Sequence, residues 1–273
     1  MEKRTVSINS CNMKAYLGNE IFAVLQELGI NDLPHKSINK EIEQYCGALR
    51  NHLLNEEKNL TKKPLYNNTF WDITPKYRYD ILAIDIPRIA NLIAYSIGFS
   101  TLYFRQFPSN RKTYDITLVD AFFWYHIDFG TRLISSGWDR IALLLDLAYS
   151  LKIGEKCSIS SVLRKLKKVD LQIDNDDNFK ILNRFYDTNF KELEGGVGKG
   201  ARHETTHIIS PGTRFLFEYL DMNSIVSDGN PFDHRHLRVS DMLKRHYDFY
   251  LEGINSALKL VSRKWPTNDK DGI

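Results

Sequence analysis

Arg202-His203-Glu204-Thr205-Thr206-His207 is the stretch of this 273-residue chain whose residue types and spacing can do chemistry. Two readings overlap on it. From Arg202 it offers an arginine and a histidine with four residues between them. Those are parts that metal-free RNA cleavage needs. A base removes the proton of a ribose 2′-hydroxyl, a cation holds the charge that grows on the phosphate, and an acid protonates the leaving 5′-oxygen. Histidine titrates near pH 6.5 (approximately its free value) and can serve as base or acid. Arginine stays charged and can grip two phosphate oxygens. From His203 the same letters offer two histidines four apart around Glu204. On a helix these lie about 40° from each other, so both could ligate Zn²⁺ while Glu204 polarises a bound water.

The second reading matches the H-E-x-x-H pattern of zinc proteases, and the local sequence opposes it. A third ligand must come from Glu218 or the more distant Glu252. Ser210-Pro211-Gly212 interrupts after barely two turns, where a zinc motif helix should continue. Thr205, Thr206, Ile208 and Ile209 are β-branched and poor helix formers. No residue is therefore assigned to a metal, and no cofactor is expected.

The first reading makes its own geometric demand. Five positions apart on a helix, Arg202 and His207 diverge by about 140°. They converge if Arg202 sits at a helix mouth, or if a second copy of the site completes the pair. The loop Gly195-Gly196-Val197-Gly198-Lys199-Gly200 just upstream suits a helix mouth, and a helix N-terminus attracts phosphate. Lys199, Arg235 and His236 are candidate substrate contacts. The last two belong to a basic-histidine cluster, His234 to Arg238 and Lys244 to His246, which reads as a phosphate-binding rim or as a solvated helix start.

The elements that must position these residues are helices. Asn19 to Leu28 and Ser37 to Glu57, the latter with Ser37 as N-cap, precede a linker at Lys58 to Thr74. Tyr77 to Gln106 reads as a helix that Pro87 kinks or restarts. Thr117 to Leu151 is the strongest helix. Ile134, Trp138, Ile141, Leu145 and Ala148 recur at alternating steps of four and three, which places the helix inside a bundle. Ser160 to Lys168, Asp176 to Glu194, Ser210 to about Leu220 and His236 to Lys264 follow. The last has Leu243, Tyr247, Tyr250, Ile254, Ala257 and Val261 inward. Thr5 to Ile8 is the best strand pattern, and a weak one. The expected fold is an all-α helical bundle, divided into an N-terminal helical segment (1–58), a main bundle (75–266) and a tail (267–273). Arg132, Asp139 and Asp146, seven apart, form a polar stripe on the central helix. It is either a solvated edge or a means for Asp139 to orient Arg202 or a histidine. Tyrosine and phenylalanine fit core stripes, with no stacking platform.

Arg202-His203-x-x-x-His207 resembles the R-x4-6-H motif of the HEPN (higher eukaryotes and prokaryotes nucleotide-binding) family, in which a polar residue commonly follows the arginine. An all-helical body, Trp138-Asp139-Arg140-Ile141 on an earlier long helix, and a final helix after the motif are similar too. The resemblance spans roughly Tyr77 to Lys264. It implies a HEPN-like bundle that dimerises and joins two motifs in one cleft. It also implies metal-independent endoribonuclease activity, as in toxin–antitoxin or antiviral systems, or an inactive module that binds RNA or protein. Arg202 and His207 would be the catalytic pair, His203 the supporting polar position, and Glu204 and Asp139 further support. The implied partners are RNA, a second copy and an antitoxin or other regulatory protein.

Composition agrees with such a chain. It is 42% hydrophobic and 26% charged, enough for a real core. The net charge of +3 does not demand nucleic acid and leaves room for a local basic patch. Cys11, Cys46 and Cys157 are scattered and odd in number, as expected of free thiols in the cytoplasm. Met1 to Cys11 lacks a signal-peptide core. Ile81 to Phe104 is apolar but contains Asp85, Pro87, Arg88 and Asn91, which suits a buried helix better than a membrane span.

Overall fold

The computed structural model describes residues 10–30, 33–58, 70, 73–106, 118–185 and 231–266. Among them it is all-α, with no strand. We number the helices α1 (Ser10–Glu27), α2 (His35–Lys58), α3 (Pro75–Phe104), α4 (Leu118–Ala148), α5 (Ile159–Val169), α6 (Asp177–Arg184) and α7 (Pro231–Lys264). Single 3-10 turns at Gly154–Lys156 and Ile173–Asn175 flank α5. The Thr5 to Ile8 pattern and the Ser210 to Leu220 helix lie outside the described residues, as do the linker positions 59–69 and 71–72.

Helix starts follow local chemistry. Thr74 caps α3 by accepting from the Tyr77 N–H, and Pro75 occupies the first helical position, where its missing N–H costs nothing. Ser158 and Ser161 close a reciprocal capping box at α5. Asp176 caps α6, accepting from the Asn178 and Phe179 N–H groups. Ser37 is not the cap of α2. That helix begins at His35, and the Ser37 hydroxyl turns back to donate to the Pro34 carbonyl at 2.8 Å. Nor does Pro87 break α3, which runs continuously through it for 30 residues. Packing on both sides holds the helix together where propensity alone would interrupt it.

Four long helices form the bundle. Asp85 meets Arg140, Gly130 lies against Ser96, and Phe104 lies beside Phe123, so α3 and α4 are antiparallel. His35 bonds Asn91 and Thr74 bonds Glu57, so α2 and α3 are antiparallel too. Along α4, Gly130, Gly137 and Ala148 meet Leu243 and Tyr250 of α7 and Trp265 just past its end, in the same order. α4 and α7 therefore run parallel. α1 rests on the second half of α3, with Ile21 and Leu25 against Gly98.

One apolar core joins these helices. Ile134, Trp138, Ile141, Leu145 and Ala148 are all buried, as are Leu243, Tyr247, Tyr250, Ile254, Ala257 and Val261, as their periodicity anticipated. Ile38, Ile42, Cys46, Leu49 and Leu53 of α2 belong to the same core. Glycines let α4 and α7 approach closely. Gly137 faces the Tyr250 ring, and Gly253 faces the Trp138 indole, which also stacks on Phe185 at 3.7 Å between centroids. α3 is long and apolar enough to cross a membrane by length and composition. Here its apolar residues, Leu82, Ile86, Ala90, Ile93 and Ile97 among them, are buried against the other helices.

Candidate functional site

Lys199, Arg202, His203, Glu204 and His207 lie outside the described residues. Arg235 and His236 fall in the first turns of α7, whose backbone is helical from Pro231 rather than from His236. The described side chains of the expected site belong to α4, the rod carrying Asp139, and to α7 from Val239 onward.

The polar positions of α4 do not form one solvated edge. Arg132 is exposed. Asp139 is half-buried near Cys157, whose thiol is pushed up to about 12, mainly by burial, with the Asp146 and Asp139 charges adding to it. Asp146 is only 6% exposed. Its Oδ1 accepts from the Ile153 N–H at 3.0 Å, fixing the turn that follows α4. One turn of α4 was not anticipated. Asp128 Oδ1 is buried with no hydrogen-bond partner among the described residues. Burial pushes that carboxyl up to about 6, against the opposing pull of Arg132. Beside it, burial lowers His126 to about 4.

His126 belongs to an aromatic stack that sequence spacing concealed. Phe99 stacks on His126 at 4.7 Å, and Tyr103 stacks on Phe122 at 5.3 Å and on His126 at 5.8 Å. These rings come from two antiparallel helices, so no period along one helix reveals them. Phe122 and Tyr125 are exposed. This end of the bundle does carry a stacked aromatic surface, contrary to the expectation of core stripes alone.

The basic-histidine cluster of α7 is also divided by the fold. His246 is fully buried, edge-on to Phe185 and Phe249, so it cannot form part of a rim. Lys244 bonds Asp248 one turn on, at 2.6 Å. Arg245 is exposed. Glu252, a possible third ligand in the zinc reading, is exposed and pairs with Arg184 at 3.6 Å. Among the described residues, no group of three or more histidines, cysteines, aspartates or glutamates is placed to hold a metal ion.

Among the described residues a polar hollow lies elsewhere, where α2, α3, α4 and α7 end or begin. Its volume is about 190 Å³, and its walls include His52, Glu56, Arg78, Asp146, Lys152 and Trp265. His52 lies 3.3 Å from Glu56 and packs its ring on Trp265. The Trp265 Nε1–H donates to the Ala148 carbonyl at 2.8 Å. Lys152 also borders a second hollow of about 320 Å³, with Ile153, Ser161, Arg164, Lys165 and Lys168. Cations dominate the second hollow, and both signs meet in the first. Such an arrangement suits anions better than proton transfer. The run Arg164-Lys165-Leu166-Lys167-Lys168 was the sequence signal available for it.

Comparison of the chain with family models, curated proteins and solved structures finds no match, and so nothing among them identifies a HEPN domain.

Proposed function

We propose that this chain is a HEPN-type, metal-independent endoribonuclease, acting as a cytoplasmic homodimer on RNA under the control of a regulatory protein such as an antitoxin. The observation that carries the proposal is Arg202-His203-x-x-x-His207, set in the span between α6 and α7 of a chain whose described residues are all-α. His207 takes the proton of the 2′-hydroxyl. The 2′-oxygen then attacks the adjacent phosphorus, Arg202 stabilises the equatorial oxygens, and the 5′-oxygen leaves as it is protonated by the second histidine of the assembled site. One P–O bond forms and one breaks, so the products are a 2′,3′-cyclic phosphate and a 5′-hydroxyl. No cofactor takes part. His203 and Glu204 hold Arg202 and His207 in register.

Supporting the reading is the helical body on which the motif is threaded. The thiols of Cys46 and Cys157 are free, as a reducing compartment would keep them. The deciding experiment is cleavage of RNA by purified protein in excess chelator, beside His207→Ala. Cyclic-phosphate ends that vanish in the variant support the proposal. Activity that needs added Zn²⁺ would transfer the motif to the zinc reading. RNA binding without cleavage, unaltered in the variant, would leave a non-catalytic module.

A further inference from the structure

The turn between α4 and α5 holds a shape that its sequence resists. Ser150 (φ 51°), Lys152 (φ 58°) and Gly154 (φ 76°) adopt left-handed backbone at alternate positions. For a residue with a Cβ that conformation costs about 1–2 kcal/mol, and such strain persists where the surroundings impose it. Here Asp146 imposes it. Its carboxylate accepts from the Ile153 N–H at 3.0 Å, and its carbonyl accepts from the Leu151 N–H at 3.0 Å. Lys152 thus stands, exposed, on a backbone fixed from both sides.

The place where it stands is the shared wall of the two hollows described above. On one side, α5 buries Ile159, Val162, Leu163 and Leu166 in the core and turns Arg164, Lys165 and Lys168 to the groove. Among the described residues, none of these three nor Lys152 forms an ion pair. Lys167, which lies outside the groove, pairs with Asp174 at 3.0 Å. Among the described residues, the α5 cations of the groove are therefore the ones without an ion-pair partner. Four cations along one concavity, one of them held by strained backbone, suit a polyanion such as a phosphodiester chain.

We infer that the groove between the α4–α5 turn and α5 is a track for the phosphodiester backbone of RNA, contacted by Lys152, Arg164, Lys165 and Lys168. The inference deepens the ribonuclease reading and rests on it for the choice of RNA as the polyanion. It places the strand at the end of the bundle where α4 and α7 finish, and contact with phosphates alone makes the grip independent of sequence. Val169 and Leu171 are exposed beside the groove. An anionic membrane would use them as a flat apolar wedge, whereas a recessed groove between charged walls fits a strand better.

The test uses full-length His207→Ala protein in chelator, so that RNA is bound and not consumed. Anisotropy of a labelled single-stranded RNA of mixed sequence gives Kd at several salt concentrations. Adding Arg164→Glu, Lys165→Glu and Lys168→Glu should weaken binding at least about tenfold and lower the salt slope by about 2, since each lost phosphate contact on a single strand removes about 0.7. Lys152→Gly, which suits that backbone, should weaken binding with the fold intact. Lys36→Glu, Lys40→Glu and Lys259→Glu, exposed on other faces, change net charge equally and should leave most of the affinity. Equal losses in the two triple variants, or an unchanged Kd in the groove variant, would overturn the inference. So would binding to anionic vesicles without binding to RNA. Groove-dependent binding by a protein that cleaves nothing would sustain this inference and refute the catalytic one. Cleavage indifferent to the groove would do the reverse.

Discussion

Gly253 and Trp138 occupy one another's space. A Cβ on Gly253 would lie 2.8 Å from Cζ3 of the indole and closer still to Cη2. The indole cannot retreat freely, because Phe185 stacks on it at 3.7 Å and Tyr250 meets it edge-on. Gly253→Ala should therefore destabilise the protein by about 1–3 kcal/mol through overpacking, even after a helix-propensity gain of about 1 kcal/mol. Gly47→Ala, where an added Cβ meets nothing within 4 Å, should instead stabilise by about 0.5–1 kcal/mol. Urea unfolding of the two variants checks the opposite signs.

The strained turn separates stability from binding. Lys152→Gly relieves a left-handed side-chain clash and should raise stability by about 1 kcal/mol while reducing RNA affinity. Asp146→Ala strands the Ile153 N–H and should cost about 1–3 kcal/mol. Thermal melts paired with anisotropy distinguish them. A Lys152→Gly protein that is less stable would remove the strain argument.

Two neighbours on α4 should tilt stability with pH in opposite senses. Asp128, raised to about 6 by burial, disfavours the folded state once ionised. The protein binds its proton more tightly folded than unfolded, so its contribution declines as pH rises from about 4 to 6. Asp128→Asn should gain about 2 kcal/mol at pH 7.5 and little at pH 4.

His126, lowered to about 4 by burial, is neutral in the fold. Its unfolded form takes a proton at about 6.5, so stability is lost as pH falls from there toward 4. His126→Phe should match the parent at pH 7.5 and exceed it at pH 4.5. Denaturant midpoints across pH read both effects.

Within the motif, substitutions rank the roles. His207→Ala should lower RNA cleavage at least about 100-fold, the usual scale of a lost acid–base group. Glu204→Gln, which keeps a hydrogen-bonding side chain in its supporting place, should lower the rate far less than His207→Ala, whereas a zinc hydrolase would lose its water-activating base. Initial rates in chelator make the comparison.

The helices were legible where a single element's own period states its buried face. The α4 and α7 stripes are the clearest cases, since each needs only one partner surface. What stayed hidden depends on which element faces which. His246 looks like a surface charge beside Lys244 and Arg245, yet its face of α7 meets Phe185. Asp146 looks like the third member of an exposed stripe, yet the chain folds back and gives it a backbone donor. Phe99 and His126 share a stack because α3 and α4 run antiparallel, a relationship absent from either segment alone. The left-handed Lys152 carries no local signal, because propensity would place a glycine there. Of the candidate site, the sequence offered the motif and its chemistry. The basic run of α5 became a groove only beside the α4–α5 turn.

Because α7 fills the space against α2, α3, α4 and α6, the order of synthesis matters. Trp138, Gly137 and Ile86 emerge from the ribosome long before Gly253 and Tyr250, which cover them. Until residues near Val261 have been made, the earlier helices display an open apolar trough. The nascent chain would keep that trough open until its last helix is made, and chaperones should engage it most strongly in that interval.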